Sequence, residues 1–257
     1  MDPDRAAREK AAYDEGDFTA VRRRFHSLYR YVYGSPNSLR LKATWHGLVK
    51  GALQNRRVLE VGCGEGWDCR KFLEWGATEV HGIDLSSAML AVARQHEGPR
   101  LKFFAHDLHQ PWPHQYDVIV GRSVLHHLDY RVILEKLYEN NLAPGGQMVF
   151  VEPLGQGLLM RVYWTLGSRF HTPDERPFTR NDIRWLRNRF ASLQIVSMNY
   201  ASLPAACLSW ALGLSPDNAM TRWADRLDVS LAERFEGLKL HYRSAIFHIT
   251  KPAVGAR

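Results

Sequence analysis

Cysteine is scarce: Cys63, Cys69 and Cys207 are the three in 257 residues, with no Cys-x-x-Cys pair and no Cys/His ligand cluster. A disulfide framework and a structural zinc are both excluded on that count, and a reducing compartment fits. No run approaches the ~20 apolar residues needed to cross a bilayer, and the opening stretch MDPDRAAREKAAYDEGDF is too charged for a secretory signal. A cytoplasmic location without a membrane-spanning segment is therefore expected. Internal repeats and low-complexity tracts are also missing, and glycine and proline together make 31 residues without a period, which excludes collagen-like and disordered chains. What remains is 45% hydrophobic and 24% charged, in a chain long enough to bury a sizeable core.

One further absence is local. From Val21 to Leu59 there is no Asp or Glu, against nine cations: Arg22, Arg23, Arg24, Arg30, Arg40, Lys42, Lys50, Arg56 and Arg57. This segment exceeds the net charge of +7 of the whole chain, so the remainder is slightly acidic. Such a concentration points to an anionic partner: a carboxylate or phosphate substrate, a nucleic acid or a membrane surface.

The hydrophobic pattern divides the chain. Residues 1–50 read as helices, with Gly34-Ser35-Pro36-Asn37 breaking one from the next, and form an N-terminal helical cap or lid. From 51 to 257 short apolar runs alternate with helical segments, as βαβ units of a parallel sheet do. Strands are expected at 57–61, 79–83, 101–105, 117–121, 147–151 and 192–199, and a last one within Leu240–Ile249. Helices are expected at about 67–75, 86–96, 130–140, Leu158–Phe170 and 179–190. An irregular, apolar insertion at about 200–238 precedes the last strand. Its uncharged stretch Ala201–Leu214 reads as a helix covering a substrate pocket, with an interfacial helix at a membrane surface as the second reading.

The strongest local signal is the strand VLEV running into Gly62-Cys63-Gly64-Glu65-Gly66 and then a helix. Glycines there let the backbone turn sharply and a ligand approach without a Cβ in the way. Glu60 and the spacing Glu-x-Gly-x-Gly-x-Gly differ from the Gly-x-Gly-x-x-Gly that seats a pyrophosphate. A negative side chain repels phosphates and suits a ligand with an amino group. Asp84 ends the second strand, where a carboxylate can accept both hydroxyls of a ribose. Asp107 follows the third, placed to accept from an exocyclic amine. One ligand with an amino acid end, a ribose and an adenine satisfies all three acids.

In VLEVGCGEG, GIDLSSAML, AHDL, YDVIVGRSVLHHLD and LAPGGQMVFVEP, over about residues 55–155, the chain resembles the class I methyltransferases that use S-adenosylmethionine. The Leu125-His126-His127-Leu128 and Pro144-Gly145-Gly146 segments look most like the quinone-biosynthesis and small-molecule branch. The resemblance implies a Rossmann-like, seven-stranded, mostly parallel sheet with helices on both faces. It implies S-adenosyl-L-methionine as cofactor, with Glu60, Gly62, Cys63 and Gly64 at the methionine part, Asp84 at the ribose and Asp107 at the adenine amine. Leu85 and Leu108 would flank the adenine, and Gly121 and Arg122 would line the methionine side, although Arg122 departs from the small or apolar residue expected there.

The cofactor supplies the electrophile, so the protein's share is alignment of an acceptor, exclusion of water and a proton acceptor. At the C-terminal edge of the sheet the candidates are His126, His127, Asp129 and Glu152, with His126 and Glu152 favoured. Two groups are candidates for holding an anionic substrate: Arg22, His26, Tyr29 and Tyr33 on one helical stripe, and Arg180, Arg184 and Arg187 beside Trp185 on another. Solvated faces look the same. Trp164, Trp210 and Trp223 are candidate aromatic faces for an apolar acceptor, an isoprenoid diphosphate being one specific case. The expected reaction is methyl transfer to a small, partly apolar, anionic metabolite. The alternative is an RNA or other nucleic-acid methyltransferase, against which stands the lack of an Asn-Pro-Pro-Tyr-type motif and of a Pro-Cys nucleophile. No metal is expected for the chemistry, and magnesium only alongside a diphosphate substrate. The sequence leaves the oligomeric state open.

Overall fold

The computed structural model describes residues 5–15, 26–166, 174–253 and 255. Seven strands form one sheet in the order β3-β2-β1-β4-β5-β7-β6: β1 (Arg57–Val61), β2 (Glu79–Asp84), β3 (Leu101–Ala105), β4 (Tyr116–Arg122), β5 (Leu142–Pro153), β6 (Gln194–Met198) and β7 (Ser244–Thr250). The first five run parallel, and β7 lies antiparallel between β5 and β6. Every expected strand is present. β5 starts earlier than expected because Pro144-Gly145-Gly146 joins it, with a register shift against β4 between Tyr116 and Val118.

Helices cover both faces because the strands are apolar on both. On one face α3 (Pro36–Ala52), α4 (Trp67–Glu74) and α5 (Ser87–Ala93) pack through Trp45, Val49, Phe72 and Leu90 onto Val58, Val118, Val120 and Val149. On the other, α6 (Tyr130–Lys136) and α8 (Arg180–Arg189) pack through Ile133, Leu134, Ile183 and Leu186 onto Leu59, Val61, Ile119 and Phe150. Ser35 and Pro36 open α3 at the expected break, and α3 runs past residue 50 to bury Trp45 and Val49 in the core. Strand alternation then fixes two directions that matter at the C-terminal edge. Glu60 and Arg122 follow Val58 and Val120 toward the α3/α4 face. Glu152 follows Met148 and Phe150 toward the α6/α8 face.

The described residues ahead of α3 form α1 (Arg5–Glu15) and α2 (His26–Gly34), and α7 (Leu158–Leu166) follows β5. The end of the helix expected to reach Phe170 lies outside the described residues.

Within the stretch read as irregular at about 200–238, the helix expected in Ala201–Leu214 is present as α9 (Ser202–Ala211), and the remainder holds a further helix, α10 (Ala219–Arg234), in place of irregular chain. Asn218 opens α10 with a capping box, its side chain accepting from Met220 and Thr221 N–H groups while the Thr221 hydroxyl accepts from Asn218 N–H. Hydrophobic periodicity misses α10 because its buried face is Thr221, Ala224, Asp225 and Asp228 rather than apolar. The acids are satisfied by hydrogen bonds: Asp225 accepts from Asn37 and Arg40, and Asp228 from the backbone N–H groups of Tyr200, Ala201 and Ser202.

Candidate functional site

The loop after β1 turns through three left-handed glycines, Gly62 (φ +65°), Gly64 (φ +52°) and Gly66 (φ +76°). They are glycine for different reasons. A Cβ on Gly62 would lie 2.6 Å from Val124, and one on Gly66 2.5 Å from Phe103, so these two are packing positions. A Cβ on Gly64 would meet nothing within 4 Å: the backbone faces open space there, as a ligand cradle requires. Asp84 at the end of β2 latches this loop. Its Oδ2 accepts from Gly64 N–H at 2.8 Å and its Oδ1 from Ser86 N–H at 2.9 Å. A carboxylate oxygen has about two lone-pair sites, so each retains one for a ligand hydroxyl.

The acid in β1 sits in a drier place. Glu60 is 4% exposed and accepts from the Cys69 thiol at 2.9 Å. Burial first, and then the neighbouring charge of Asp68, push its carboxyl up to about 8. Asp68, buried in the first turn of α4, pairs with Lys71 at 2.9 Å and with the Arg122 guanidinium, whose plane lies over Trp45 at 5.2 Å. A ligand ammonium beside Glu60 and a carboxylate beside Arg122 would complement this arrangement.

Along the edge, Asp107 Oδ1 accepts from His109 N–H at 2.9 Å and meets His109 Nδ1 at 2.8 Å, leaving Oδ2 unused within the protein among the described residues. Leu85 and Leu108 are half-buried beside these acids. Cys63 is buried against Gly82, where a Cβ would lie 2.9 Å from its sulfur. Gly121 is a packing glycine too, its Cβ position 2.8 Å from Phe150.

On the opposite face the turn after β4 is held by a single carboxylate. Glu152 is fully buried; its Oε1 accepts from Val124 and Leu125 N–H at 3.0 and 2.9 Å, and its Oε2 meets His126 N–H at 3.3 Å and His126 Nδ1 at 2.7 Å. These four contacts occupy the carboxylate, so its geometry is that of a positioning group. Just before the residues it holds, Ser123 sits at φ +52° with its N–H donating to the Val151 carbonyl at 2.8 Å, a conformation that non-glycine residues rarely adopt and that clusters at functional sites. His126 lies edge-on to Trp164 at 6.3 Å. Its neighbour His127 is 8% exposed, with Nδ1 at 3.1 Å from Glu9 and Nε2 at 3.2 Å from the Tyr13 hydroxyl.

Glu9 and Tyr13 come from α1, which bridges the two sides of the edge. At one end Arg8 forms a two-point pair with Asp174 at 2.8 and 2.9 Å. At the other, Asp14 accepts from the Ser86 hydroxyl at 2.6 Å and Ala88 N–H at 3.2 Å, over the start of α5. Lys10, then Ser86 and Ala88, hold the Asp14 carboxyl down at about 2. The sequence reading named neither Glu9, Tyr13, Asp14, Asp68 nor Glu175. The signal for the first three is the Glu9, Tyr13 spacing of one helical turn on a charged helix, which carries no information about the loop it meets.

Among the described residues, the expected substrate residues fall into separate groups. Arg22 lies outside the described residues. His26 is exposed, Tyr29 stacks on Tyr33 at 5.9 Å, Tyr33 takes Arg243 through its hydroxyl at 3.0 Å, and Trp210 Nε1 donates to Ser27 at 3.1 Å. This group joins α2 to α9. Arg180 and Arg184 are exposed on α8, where Arg184 reaches Asn181 at 3.4 Å and Arg187 pairs with Glu236 at 2.6 Å. Among the described residues no contact joins the two groups into one clamp. The basic segment is also partly neutralised, since Arg40 pairs with Asp225, Arg56 with Asp117 and Arg57 with Glu79. No described helix is long and apolar enough to cross a membrane.

Residues 58–146 match the family described as a methyltransferase domain. The ubiquinone biosynthesis O-methyltransferase of Pseudomonas savastanoi pv. phaseolicola is 36% identical over 157 residues, 56% of this chain and 66% of that protein. The trans-aconitate 2-methyltransferase of Streptomyces avermitilis is 35% identical over 104 residues, 38% of this chain and 39% of that one. The chain thus spans two thirds or less of the length of these two relatives. Among solved structures, Haemonchus contortus phosphoethanolamine N-methyltransferase 2 in complex with S-adenosyl-L-methionine superposes with a TM-score of 0.63 at 18% identity, over 95% of this chain and 60% of that one. The magnesium protoporphyrin IX methyltransferase of Synechocystis PCC 6803 gives 0.57 at 16% identity, over 96% and 100%.

Proposed function

Because the chain belongs to the class I S-adenosylmethionine-dependent methyltransferases, we propose that it transfers the cofactor's methyl group to a hydroxyl of a small, partly apolar metabolite, as the names of its ubiquinone-pathway relatives suggest. The observation that carries this reading is the pairing at one sheet edge of an open glycine loop latched to Asp84 with a buried imidazole whose Nε2 meets the Tyr13 hydroxyl.

Bound S-adenosylmethionine supplies an electrophilic methyl on a sulfonium. Asp84 would hold the ribose, Asp107 the adenine amine, and Glu60 and Arg122 the amino and carboxylate groups of the methionine part. On the acceptor side Glu9 accepts the Nδ1 proton of His127, which leaves a lone pair on Nε2. That nitrogen takes the acceptor's proton, directly or through the Tyr13 oxygen. Glu152 fixes His126 and the turn that carries His127, and α1 closes over the cleft to exclude water.

The clamp expected for an anionic substrate, and with it a prenyl diphosphate, draws no support from Arg180 and Arg184. The nucleic-acid alternative is weakened by the ion pairs of Arg40, Arg56 and Arg57. The test is methyl transfer from labelled S-adenosylmethionine into an extract of the source cells, partitioned with organic solvent before and after nuclease. Label in the small-molecule fraction is expected; label in polymer that nuclease releases would sink the reading.

A further inference from the structure

Large apolar side chains ordinarily face inward, and α9 reverses that order. It buries Ser202, Ala205, Ala206 and Ser209, while Leu208, Trp210 and, in the turn that follows, Leu212 and Leu214 are between 42% and 61% exposed. The orientation is locked from beneath. Asp228 accepts from the Ser202 N–H at 3.1 Å and from its hydroxyl, and Asn218 Nδ2 donates to the Ser209 hydroxyl at 2.8 Å. A single exposed leucine is ordinary, whereas a run of large apolar residues held outward over small ones is a surface built to meet something apolar.

Helix α2 extends this surface and gives it a sign. Trp210 Nε1 donates to the Ser27 hydroxyl at 3.1 Å, and a Cβ on Gly34 would lie 3.4 Å from Pro216, so the turn after α9 runs along α2 from one end to the other. Arg30 is exposed one helical turn beyond Ser27, and the Arg243 guanidinium lies over the Tyr33 ring at 5.0 Å. Neither α2 nor residues 202–216 contain an Asp or Glu, and the first acid beyond them, Asp217, is paired with Arg222 at 3.3 Å. An apolar centre with a tryptophan, rimmed by arginines and free of acids, complements lipid with anionic headgroups. A second copy of the chain is a poorer match, because a twofold contact would bring the arginines of both copies to one patch that has no carboxylate.

We propose that α2, α9 and the turn at residues 212–216 dock the chain on an anionic lipid surface. The docking has a direction. β6 runs parallel to β5, since both are antiparallel to β7, and Met198 and Pro153 share Ser244 as their partner at the C-terminal edge of the sheet. Asn37, in the first turn of α3, accepts from the Asn199 N–H at 2.7 Å, which holds the end of α2 at that same edge. Docking therefore brings the edge that carries the cleft to the lipid, and an apolar acceptor dissolved there would reach it without crossing water. That consequence rests on the function proposed above, while lipid binding itself does not.

The experiment is co-sedimentation of the full chain with vesicles of phosphatidylcholine and of phosphatidylcholine mixed with phosphatidylglycerol. Binding to the mixed vesicles is expected, weakening as salt is raised. Leu212→Glu combined with Leu214→Glu should weaken it by roughly tenfold or more, since apolar burial is lost and like charge is added. Arg30→Gln should weaken it by about fivefold, while Lys50→Gln, in the last turn of α3 and away from the patch, should leave it unchanged. All four positions are exposed, so melting temperature and calorimetric affinity for S-adenosylhomocysteine should match the wild type, which separates a lost surface from a lost fold. Sedimentation equilibrium without vesicles reads the rival occupant. No binding to the mixed vesicles, binding that the leucine variant leaves intact, equal losses in Arg30→Gln and Lys50→Gln, or self-association that the leucine variant abolishes would each overturn the proposal. None of these readouts measures methyl transfer, so their failure leaves the proposed reaction standing.

Discussion

The two halves of the cleft at the sheet's C-terminal edge are built by different means. The half on the α3/α4 side is a backbone device: left-handed glycines, an open face at Gly64 and a carboxylate on Gly64 and Ser86 N–H groups, all within residues 60–107. The half on the α6/α8 side is a gathering of side chains, with Glu9, Tyr13, His126, His127, Glu152 and Glu175 meeting from points more than a hundred residues apart. A turn that needs glycine and an acid at the end of a strand leave a local trace. A cluster assembled by topology leaves a partial one: His126, His127 and Glu152 stand at strand ends, while Glu9, Tyr13 and Glu175 carry no such mark.

If the halves are separable, variants should split cleanly between turnover and cofactor affinity. The largest effect is expected from His127→Gln, which should lower kcat by roughly 10²- to 10⁴-fold, the usual contribution of a positioned proton acceptor. Steady-state kinetics read this, and an unchanged kcat would remove His127 from the chemistry. Asp84→Ala comes next, weakening cofactor binding by ~1–3 kcal/mol through lost charged hydrogen bonds and a freed loop.

A smaller, pH-dependent effect belongs to Glu60. Its folded value of about 8 lies above the ordinary 4.5, so the stability present below 4.5 is lost as pH rises through 8. A ligand ammonium favours the ionised form, so cofactor affinity should climb as pH approaches 8 and level off beyond it. Glu60→Gln should flatten both profiles, raising the melting temperature above pH 8 while binding the cofactor more weakly. Profiles that stay parallel to wild type would detach Glu60 from both. Least of all, Arg184→Ala should leave kinetic constants within about twofold, since it is an exposed residue whose contact is Asn181. A raised Michaelis constant would restore the anion clamp.

The same division explains what the sequence disclosed. β1 and β3 fall at the residues their apolar runs predict, and β4 within one residue at each end, because a strand buried on both faces writes a continuous signal. The positions of Glu60, Asp84 and Asp107 were legible, since each lies near or just past the end of an apolar run that forms a strand. Glu152 was found as a residue but with a different task, because only the folded turn shows four contacts converging on it. The arginines at 180 and 184 have clamp-like spacing, yet helix packing points the same spacing outward. Helix α10 was missed because it buries acids and small residues, which hydrophobic patterning reads as exposed.

The most direct test is calorimetric titration of S-adenosylhomocysteine into the wild-type chain, Asp84→Ala and His127→Gln. Separable halves predict that Asp84→Ala loses affinity while His127→Gln binds as the wild type does, even where its turnover has collapsed. Equal losses in the two variants, or a loss confined to His127→Gln, would contradict the division.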